Sequence, residues 1–497
     1  MKRSTIESVL FFAAVGMSKN ASYSQGQGQW PPPGIAVSYP NSTSFVNETT
    51  RWNAHGSPMF SESTAPTSPD EVAEIVKAAV ASKISFLAMG GRHAYGHMLS
   101  ALQGGLAIDL SGLNRFSIDT VAKPVTIGGG AKIKEVINPV ADAGFQIGLG
   151  ACNCTGYVGT TLGAGIGYLQ GTFGLVIDAL VSVDFVTAER EQIIASNTSN
   201  PDLFWAIKGA GANFGIVTSA TYKLSEPVNS GLVFHAELLY SAEQQEDYFK
   251  TMEAFEEQKP APLGFSSAMF WNATTNSHLA KTSILSTFIY VGTEEAARSD
   301  LAPFFDLNPV VVAAENIPFQ HVPNVVNGVT DASCQTSQGL HSIHTFNVRK
   351  WTASAFSSIF TQFDAYLKQY EEARSANSAI IMGTFSAAAS TSVPDGSAAY
   401  PWRDSAGYIM LQMRWPGLTN SFGETANIFA KKLRDELAAT SGYSGLSAYV
   451  NYAWGDETLE QIYRKDKLER LVSVKQKWDP TNVFGFSNGI APNYTTK

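Results

Sequence analysis

From Pro66 onward the chain switches between helical and strand periodicities. Ser68-Pro69-Asp70-Glu71 opens a helix, with Ser68 at the N-cap and Pro69 in the first turn. Val72, Ile75, Val76 and Val80 then recur at helical spacing. Ile84–Ala88 reads as a buried strand that ends at Gly90-Gly91. Leu106–Leu110 and Pro124–Gly128 are further short strands, and Lys132–Ala143 is a second amphipathic helix. Val181–Ala188 and Phe214–Lys223 have strong strand character. Alternation of this kind predicts α/β or α+β layering. After Leu224 the texture changes. Segments 232–240, 279–291 and 405–415 alternate as strands, and 241–257, 353–373 and 421–439 interleave as helices. That pattern predicts one antiparallel sheet with helices on one face. The last fifty residues return to a helix, Leu459–Trp478, closed by Asp479-Pro480. Residues 18–50, rich in Ser, Asn, Gln and Pro, read as a tail or linker. No repeat of solenoid period occurs.

A chain of 497 residues predicts roughly two to four domains. With 44% hydrophobic residues it can build a sizeable core, which excludes low-hydrophobicity disorder. The net charge of −9 argues against a nucleic-acid or anionic-membrane partner, because neither meets a basic face. Lys2 and Arg3 precede an apolar stretch from Val9 to Met17, an order that resembles a signal peptide over residues 1–24. No later apolar run nears the roughly 18 residues of a membrane helix. Seven sequons (Asn20, Asn41, Asn47, Asn153, Asn197, Asn272 and Asn493) fit a secreted or secretory-pathway glycoprotein. The three cysteines, Cys152, Cys154 and Cys334, cannot all pair with one another. At least one is free or is bonded to something other than cysteine.

The densest chemical signal is the glycine run Gly148–Gly174. Gly156, Gly159, Gly163, Gly165 and Gly167 let backbone approach a ligand closely and point N–H groups at it, as phosphate cradles do. The bland alternative is a packing loop. A Rossmann fingerprint is excluded, because its glycine spacing is absent and no apolar strand runs into the segment. His93 and His97 form H-x-x-x-H, but Gly90, Gly91 and Gly96 oppose the helix that a zinc pair needs. No metal site is expected.

Four motifs, in order, carry a family resemblance. They are Gly90-Gly91-Arg92-His93-Ala94-Tyr95-Gly96, then Cys152-Asn153-Cys154-Thr155-Gly156, then Asn200–Thr218 with its Gly215-Ile216-Val217, and finally Tyr449-Val450-Asn451-Tyr452 with Trp478-Asp479-Pro480-Thr481-Asn482. Together, over about residues 60 to 490, the chain resembles the FAD-linked oxidases of the vanillyl-alcohol-oxidase superfamily, in their berberine-bridge-enzyme-like, fungal branch. The resemblance implies an α+β fold: a split PCMH-type FAD-binding domain with an inserted substrate domain whose antiparallel sheet is covered by helices. The FAD part then spans 55–224 and 450–497, around a substrate domain at 225–449.

The resemblance also implies roles for individual residues. His93 matches a histidine that bonds the flavin 8α-methyl group, and Cys152 matches a cysteine that attaches to flavin C6, so FAD is expected to be held bicovalently. The other readings of Cys152 are a buried free thiol or a Cys152–Cys154 disulfide. Gly90, Gly91, Arg92, Gly156, Gly159, Gly163, Gly165, Gly215, Ile216, Val217 and Asn451 fall at cofactor-contact positions. Thr155 sits where small residues leave oxygen access open. The strand Tyr408–Trp415 lacks the glutamate that some members use as base, so Tyr449 or Tyr452 takes that role, with Asp395 next in line. The family turn before the last helix is altered to Tyr463-Arg464-Lys465-Asp466.

The implied activity is hydride transfer from a substrate carbon to flavin N5, with dioxygen as reoxidant. Met410, Met413 and the missing glutamate favour an apolar, non-cationic secondary metabolite, such as a polyketide or alkaloid intermediate. The alternative is a carbohydrate or oligosaccharide oxidised to its lactone with release of hydrogen peroxide. Phe270, Trp271, Trp402, Trp415 and Trp454 are candidates to line either pocket. A monomer is expected. A protein that stores FAD without turnover is the rival from another class.

Overall fold

In the computed structural model, residues 30–273, 281–326, 334, 340–417 and 421–495 are described. The leader expected at 1–24 and the sequon Asn20 lie outside them. Three sheets organise the chain. The first is parallel, with β1 (Met59–Thr64), β2 (Phe86–Met89) and β3 (Gln103–Asp109) in the order β1-β3-β2. The helix Pro69–Ala81 packs Val72, Ile75, Val76 and Ala79 onto Phe86, Leu106 and Ile108. Ser68 caps that helix through Glu71 N–H, as its sequence predicts.

The second sheet is antiparallel. It contains β4 (Phe116–Ile118), β5 (Pro124–Gly128), β6 (Leu180–Thr187), β7 (Gln192–Ser196) and β8 (Gly215–Lys223), in the order β4-β5-β8-β6-β7. The third has seven antiparallel strands: β9 (Leu232–Tyr240), β10 (Leu263–Asn272), β11 (Lys281–Tyr290), β12 (Val310–Pro318), β13 (Leu340–Val348), β14 (Ala379–Phe385) and β15 (Gly407–Trp415). Their order is β12-β9-β11-β10-β14-β15-β13.

One face of the seven-stranded sheet is apolar and covered. Ile409, Leu411 and Met413 of β15, Ile380 and Met382 of β14, and Phe265 and Met269 of β10 share a core with the helices Gln245–Glu256, Ala353–Gln369 and Phe422–Ala438. The opposite face carries Ser266, Gly383, Tyr408, Gln412 and His341. It meets the glycine-rich segment, because a Cβ on Gly264 would lie 2.2 Å from the Tyr168 carbonyl oxygen and Tyr168 Oη bonds Ser266 Oγ. Strand periodicity alone sorts these residues.

The C-terminal residues complete the core built by the second sheet: Tyr449, Ile462, Tyr463, Leu468, Leu471 and Ile490 pack with Phe204, Ile207 and Phe214. The reason for the Asp479-Pro480 motif is visible here. Asp479 is fully buried, accepts Lys475 Nζ at 2.6 Å and the N–H groups of Val483 and Phe484, and Lys475 also reaches the Asn213 carbonyl.

Three expectations need correction. Residues 30–50 are not a loose tail. Trp30 Nε1 donates to Glu62 at 2.6 Å, Ser38 bridges Ser63, and Thr43–Thr49 is a helix capped by Ser42, so the ordered unit begins before residue 55. The predicted helix Leu459–Trp478 is broken into Leu459–Tyr463 and Lys465–Trp478, because Arg464 takes φ +62° while its guanidinium pairs with Asp466 and Asp395. The helix predicted over 353–373 ends at Gln369 and resumes at Glu371–Ser375.

Candidate active site

The loops after β2 and β5 and the loop Cys152–Gly156 come together at backbone contact. A Cβ on Gly91 would lie 2.1 Å from Gly156 N, and one on Gly90 would lie 2.9 Å from Gly129 O. Only glycine permits this approach. The start of the helix Ile133–Asp142 clamps the cysteine loop, with Ile133 N–H donating to Thr155 O and Lys134 N–H to Asn153 O. The backbone N–H groups of Gly91 to Ala94 donate to no acceptor among the described residues, and Arg92 is left-handed at φ +60°. Consecutive free N–H groups around a left-handed residue form a concavity that suits phosphate oxygens. The Arg92 side chain is engaged elsewhere, pairing with Asp109 at 2.8 Å and with the Asn47 carbonyl. Its contribution to a phosphate is therefore its backbone.

His93 lies at this loop, stacked on Trp52 at 5.3 Å between ring centroids. Burial, with Lys132 and Arg51 nearby, pulls its imidazole down to about 4. The ring is thus neutral near pH 7 and keeps a nucleophilic nitrogen. Trp52 also packs edge-on against His341 at 4.5 Å, and His341 Nδ1 is 3.0 Å from Gln412 Nε2. The histidine is braced from the seven-stranded sheet, through residues that sequence reading did not single out.

Cys152 is the one free thiol among the described cysteines. Burial pushes its pKa up, against the N–H groups of Cys154 and Thr155. The structure decides against a Cys152–Cys154 disulfide: Cys154 is bonded to Cys334, 180 residues away. All three sulfurs lie within 4.8 Å of one another. With two of them joined, a single thiol is left, short of the four ligands of a structural zinc site. Asn153 is buried, and its Nδ2 donates to Asn324, so this sequon is shielded in the fold.

The tyrosines of the C-terminal motif are not equivalent. Tyr449 is 1% exposed, and its hydroxyl accepts Gly165 N–H at 3.3 Å and Asn451 Nδ2 at 3.0 Å. Asn451 also donates to Thr160 O, and a Cβ on Gly163 would strike its amide at 2.3 Å. Gly163 and Gly165 therefore seat the Tyr449–Asn451 pair, with Gly165 at φ +76°. Tyr452 packs edge-on against Tyr449 at 4.9 Å and faces Tyr95 at 6.3 Å. It is half-buried, and its hydroxyl has no hydrogen bond to any described residue. Burial, with Tyr449, Tyr168 and Cys152 as the nearest contributors, raises its pKa above the usual phenol range. Tyr452 and Cys152 thus share one environment.

Other expected residues fall away from this centre. Gly159 is exposed on the helix Tyr157–Leu162, and a Cβ there would meet open space. Gly215, Ile216 and Val217 lie in β8. Gly215 backs onto Phe185, and the other two side chains are buried in the core; their link to the site runs through Gly129, whose N–H donates to Thr218 O. Asp395 is no base in waiting: despite its burial, Arg464 and Lys467 hold its carboxyl below the usual range. Trp402 donates to Ile462 O, Trp415 packs against Gly423 on the helix-covered side, and Trp454 stacks with His97 and His55. Phe270 is the expected aromatic that lies on the same face of β10 as Ser266, the residue that bonds Tyr168 of the glycine-rich segment. Tyr168 and Tyr408 join it there, and neither was singled out from the sequence.

The family model for the FAD binding domain matches residues 63–196, and that for berberine and berberine-like proteins matches 448–491. The FAD-linked oxidoreductase srdI of Neurospora crassa is 40% identical over 461 residues, covering 92% of this chain and 90% of the relative. The FAD-linked oxidoreductase OXR1 of Pyricularia oryzae is 38% identical over 465 residues, covering 93% and 90%. This chain is a berberine-bridge-enzyme-like FAD-linked oxidoreductase. Its fold is shared with the glucooligosaccharide oxidase of Acremonium strictum (TM-score 0.81, 20% identity, 93% of this chain and 97% of that one). It is also shared with the BBE-like 1 protein of Physcomitrella patens (TM-score 0.80, 22% identity, 93% and 98%). A further structure of the Acremonium enzyme is described as carrying a 6-S-cysteinyl, 8α-N1-histidyl FAD (TM-score 0.80, 19% identity, 93% and 98%). The free N–H row at Gly91–Ala94, the neutral His93 and the thiol of Cys152, which is in no disulfide, fit an FAD of this oxidoreductase family.

Proposed function

We propose that the chain holds FAD through both His93 and Cys152 and oxidises a small secondary-metabolite alcohol or a similar carbon centre, with Tyr452 as the proton acceptor. The observation that carries the proposal is the half-buried Tyr452 hydroxyl, which bonds no described residue and sits on a ring packed edge-on against the anchored Tyr449. When bound, the flavin supplies a hydride acceptor at N5, which dioxygen returns to its oxidised form with release of hydrogen peroxide. The protein supplies orientation and proton handling. Gly91–Ala94 N–H groups hold phosphate, His93 and Cys152 fix the ring, and Tyr449 with Asn451 sets the position of Tyr452. A phenol above its usual pKa is protonated near pH 7, and only its phenolate can take a proton, so Tyr452 accepts the substrate proton from its small ionised fraction, which grows as pH rises. The inserted unit 225–449 provides the substrate face, and 55–224 with 450–497 provides the FAD-binding part.

Arg414 supports a non-cationic substrate. Its side chain lies on the Gln412 face of β15, burial pulls its guanidinium down to about 10, and no carboxylate pairs with it among the described residues. The resemblance in fold to oligosaccharide oxidases keeps a carbohydrate substrate as the second reading. A secreted, monomeric enzyme is part of the same proposal, resting on the leader and the sequons. Peroxide release from purified yellow protein across aromatic alcohols and oligosaccharides tests it. Peroxide with neither class contradicts it.

A further inference from the structure

The three sulfurs give Cys154 two possible partners. Its bond to Cys334 closes a span of 180 residues, while Cys152 Sγ waits 3.3 Å from Cys154 Sγ. The residue between them is pinned: the Asn153 carbonyl accepts Lys134 N–H, its Nδ2 donates to Asn324 Oδ1, and its Oδ1 lies 2.9 Å from Cys334 Sγ. Both arrangements are therefore within reach of one loop geometry, and they differ in one respect. A Cys154–Cys334 bond leaves the Cys152 thiol free; a Cys152–Cys154 bond consumes it.

We propose that the Cys154–Cys334 disulfide is a guard that reserves Cys152 for flavin attachment, by occupying the neighbouring sulfurs, above all Cys154 at 3.3 Å, that would otherwise capture it. The inference rests on the reading of Cys152 as a flavin attachment residue. In the wild-type chain the guarded and captured states interconvert by exchange. The Cys152 thiolate attacks Cys154 Sγ, the Cys154–Cys334 bond breaks, and its electron pair leaves on Cys334, which takes up the proton that Cys152 lost. No net oxidation occurs. Burial raises the Cys152 pKa and lowers its thiolate fraction, which slows that exchange. Without Cys334 the guard cannot form. Cys152 and Cys154 are then two thiols in contact, and a small-molecule disulfide such as glutathione disulfide accepts their two electrons and two protons as they join.

The test is non-reducing peptide mapping by mass spectrometry, with the flavin absorbance of each tryptic peptide, on full-length protein produced with glutathione disulfide present. Wild type is expected to show a Cys154–Cys334 link and flavin on the Cys152 peptide. Cys334→Ser is expected to show a Cys152–Cys154 link, to lose flavin from Cys152, and to keep it on His93. The double change Cys154→Ser with Cys334→Ser removes the disulfide and the captor together, and is expected to return flavin to Cys152. Flavin on Cys152 in Cys334→Ser overturns the guard. So does its absence from Cys152 in the folded double variant, which would make the disulfide a structural brace. A wild-type map with the Cys154–Cys334 link but no flavin on Cys152 overturns the attachment reading instead.

Discussion

The Tyr449 hydroxyl accepts the Gly165 N–H at 3.3 Å, which binds the C-terminal motif to the glycine-rich segment. Tyr449 thereby becomes a support, and Tyr452 is left as the tyrosine with a hydroxyl to spare. Tyr452→Phe is expected to retain covalent FAD and to slow flavin reduction by about a hundredfold or more, the usual range for loss of a general base. Tyr449→Phe should retain most of the rate. Stopped-flow bleaching of the flavin absorbance distinguishes them; equal, small effects place the base elsewhere.

The pH dependence of that step follows from the raised phenol. Reduction should accelerate with pH above neutrality as Tyr452 ionises, and Tyr452→Phe should abolish the rise. A profile unchanged by the substitution removes Tyr452 from proton transfer.

Gly91 is fixed by its neighbour Gly156. A Cβ at Gly91 would meet Gly156 N at 2.1 Å, Gly156 Cα at 2.8 Å and Thr155 C at 2.9 Å, all backbone. Gly91→Ala must displace the loop that carries Cys152. The variant should fold with less flavin on Cys152, as read from the acid-denatured absorbance spectrum. Full bicovalent loading would show that the two loops move independently.

Buried histidines make the fold acid-sensitive. His341 is held at about 3 and His344 at about 4, both by burial first. An unfolded histidine titrates near 6.5. Below that value the unfolded chain binds protons that the folded chain refuses. Stability is therefore lost as pH falls from about 6.5 towards 4, by at most about 1.4 kcal/mol per pH unit for each group. Melting temperature against pH should show this decline, and His341→Gln should flatten it.

The sequence displays much of this site because its parts are local. The helix start at Ser68, the strands 124–128 and 215–223, and the glycine motifs each carry their own periodicity or turn chemistry. What the sequence hides depends on residues far apart in the chain. Cys334 lies 180 residues from Cys154, and nothing in either neighbourhood marks the partner. Trp52 and His341, which brace His93, come from two stretches to which the periodicity assigns no element. The break at Arg464 is hidden from the periodicity, because the residues on both sides keep helical spacing and Arg464 is held by ion pairs to Asp395 and Asp466; only the family resemblance places a turn at Tyr463–Asp466.

The central claim is that one FAD is held at two points, His93 and Cys152. The most direct measurement is the flavin content of acid-precipitated protein and of its tryptic peptides, for wild type, His93→Ala, Cys152→Ala and the double variant. Wild-type precipitate should stay yellow, with a flavin that links the His93 and Cys152 peptides. Each single variant should retain flavin on the other residue, and the double variant should release it all. Wild-type protein that loses its entire flavin into the acid supernatant would contradict the account.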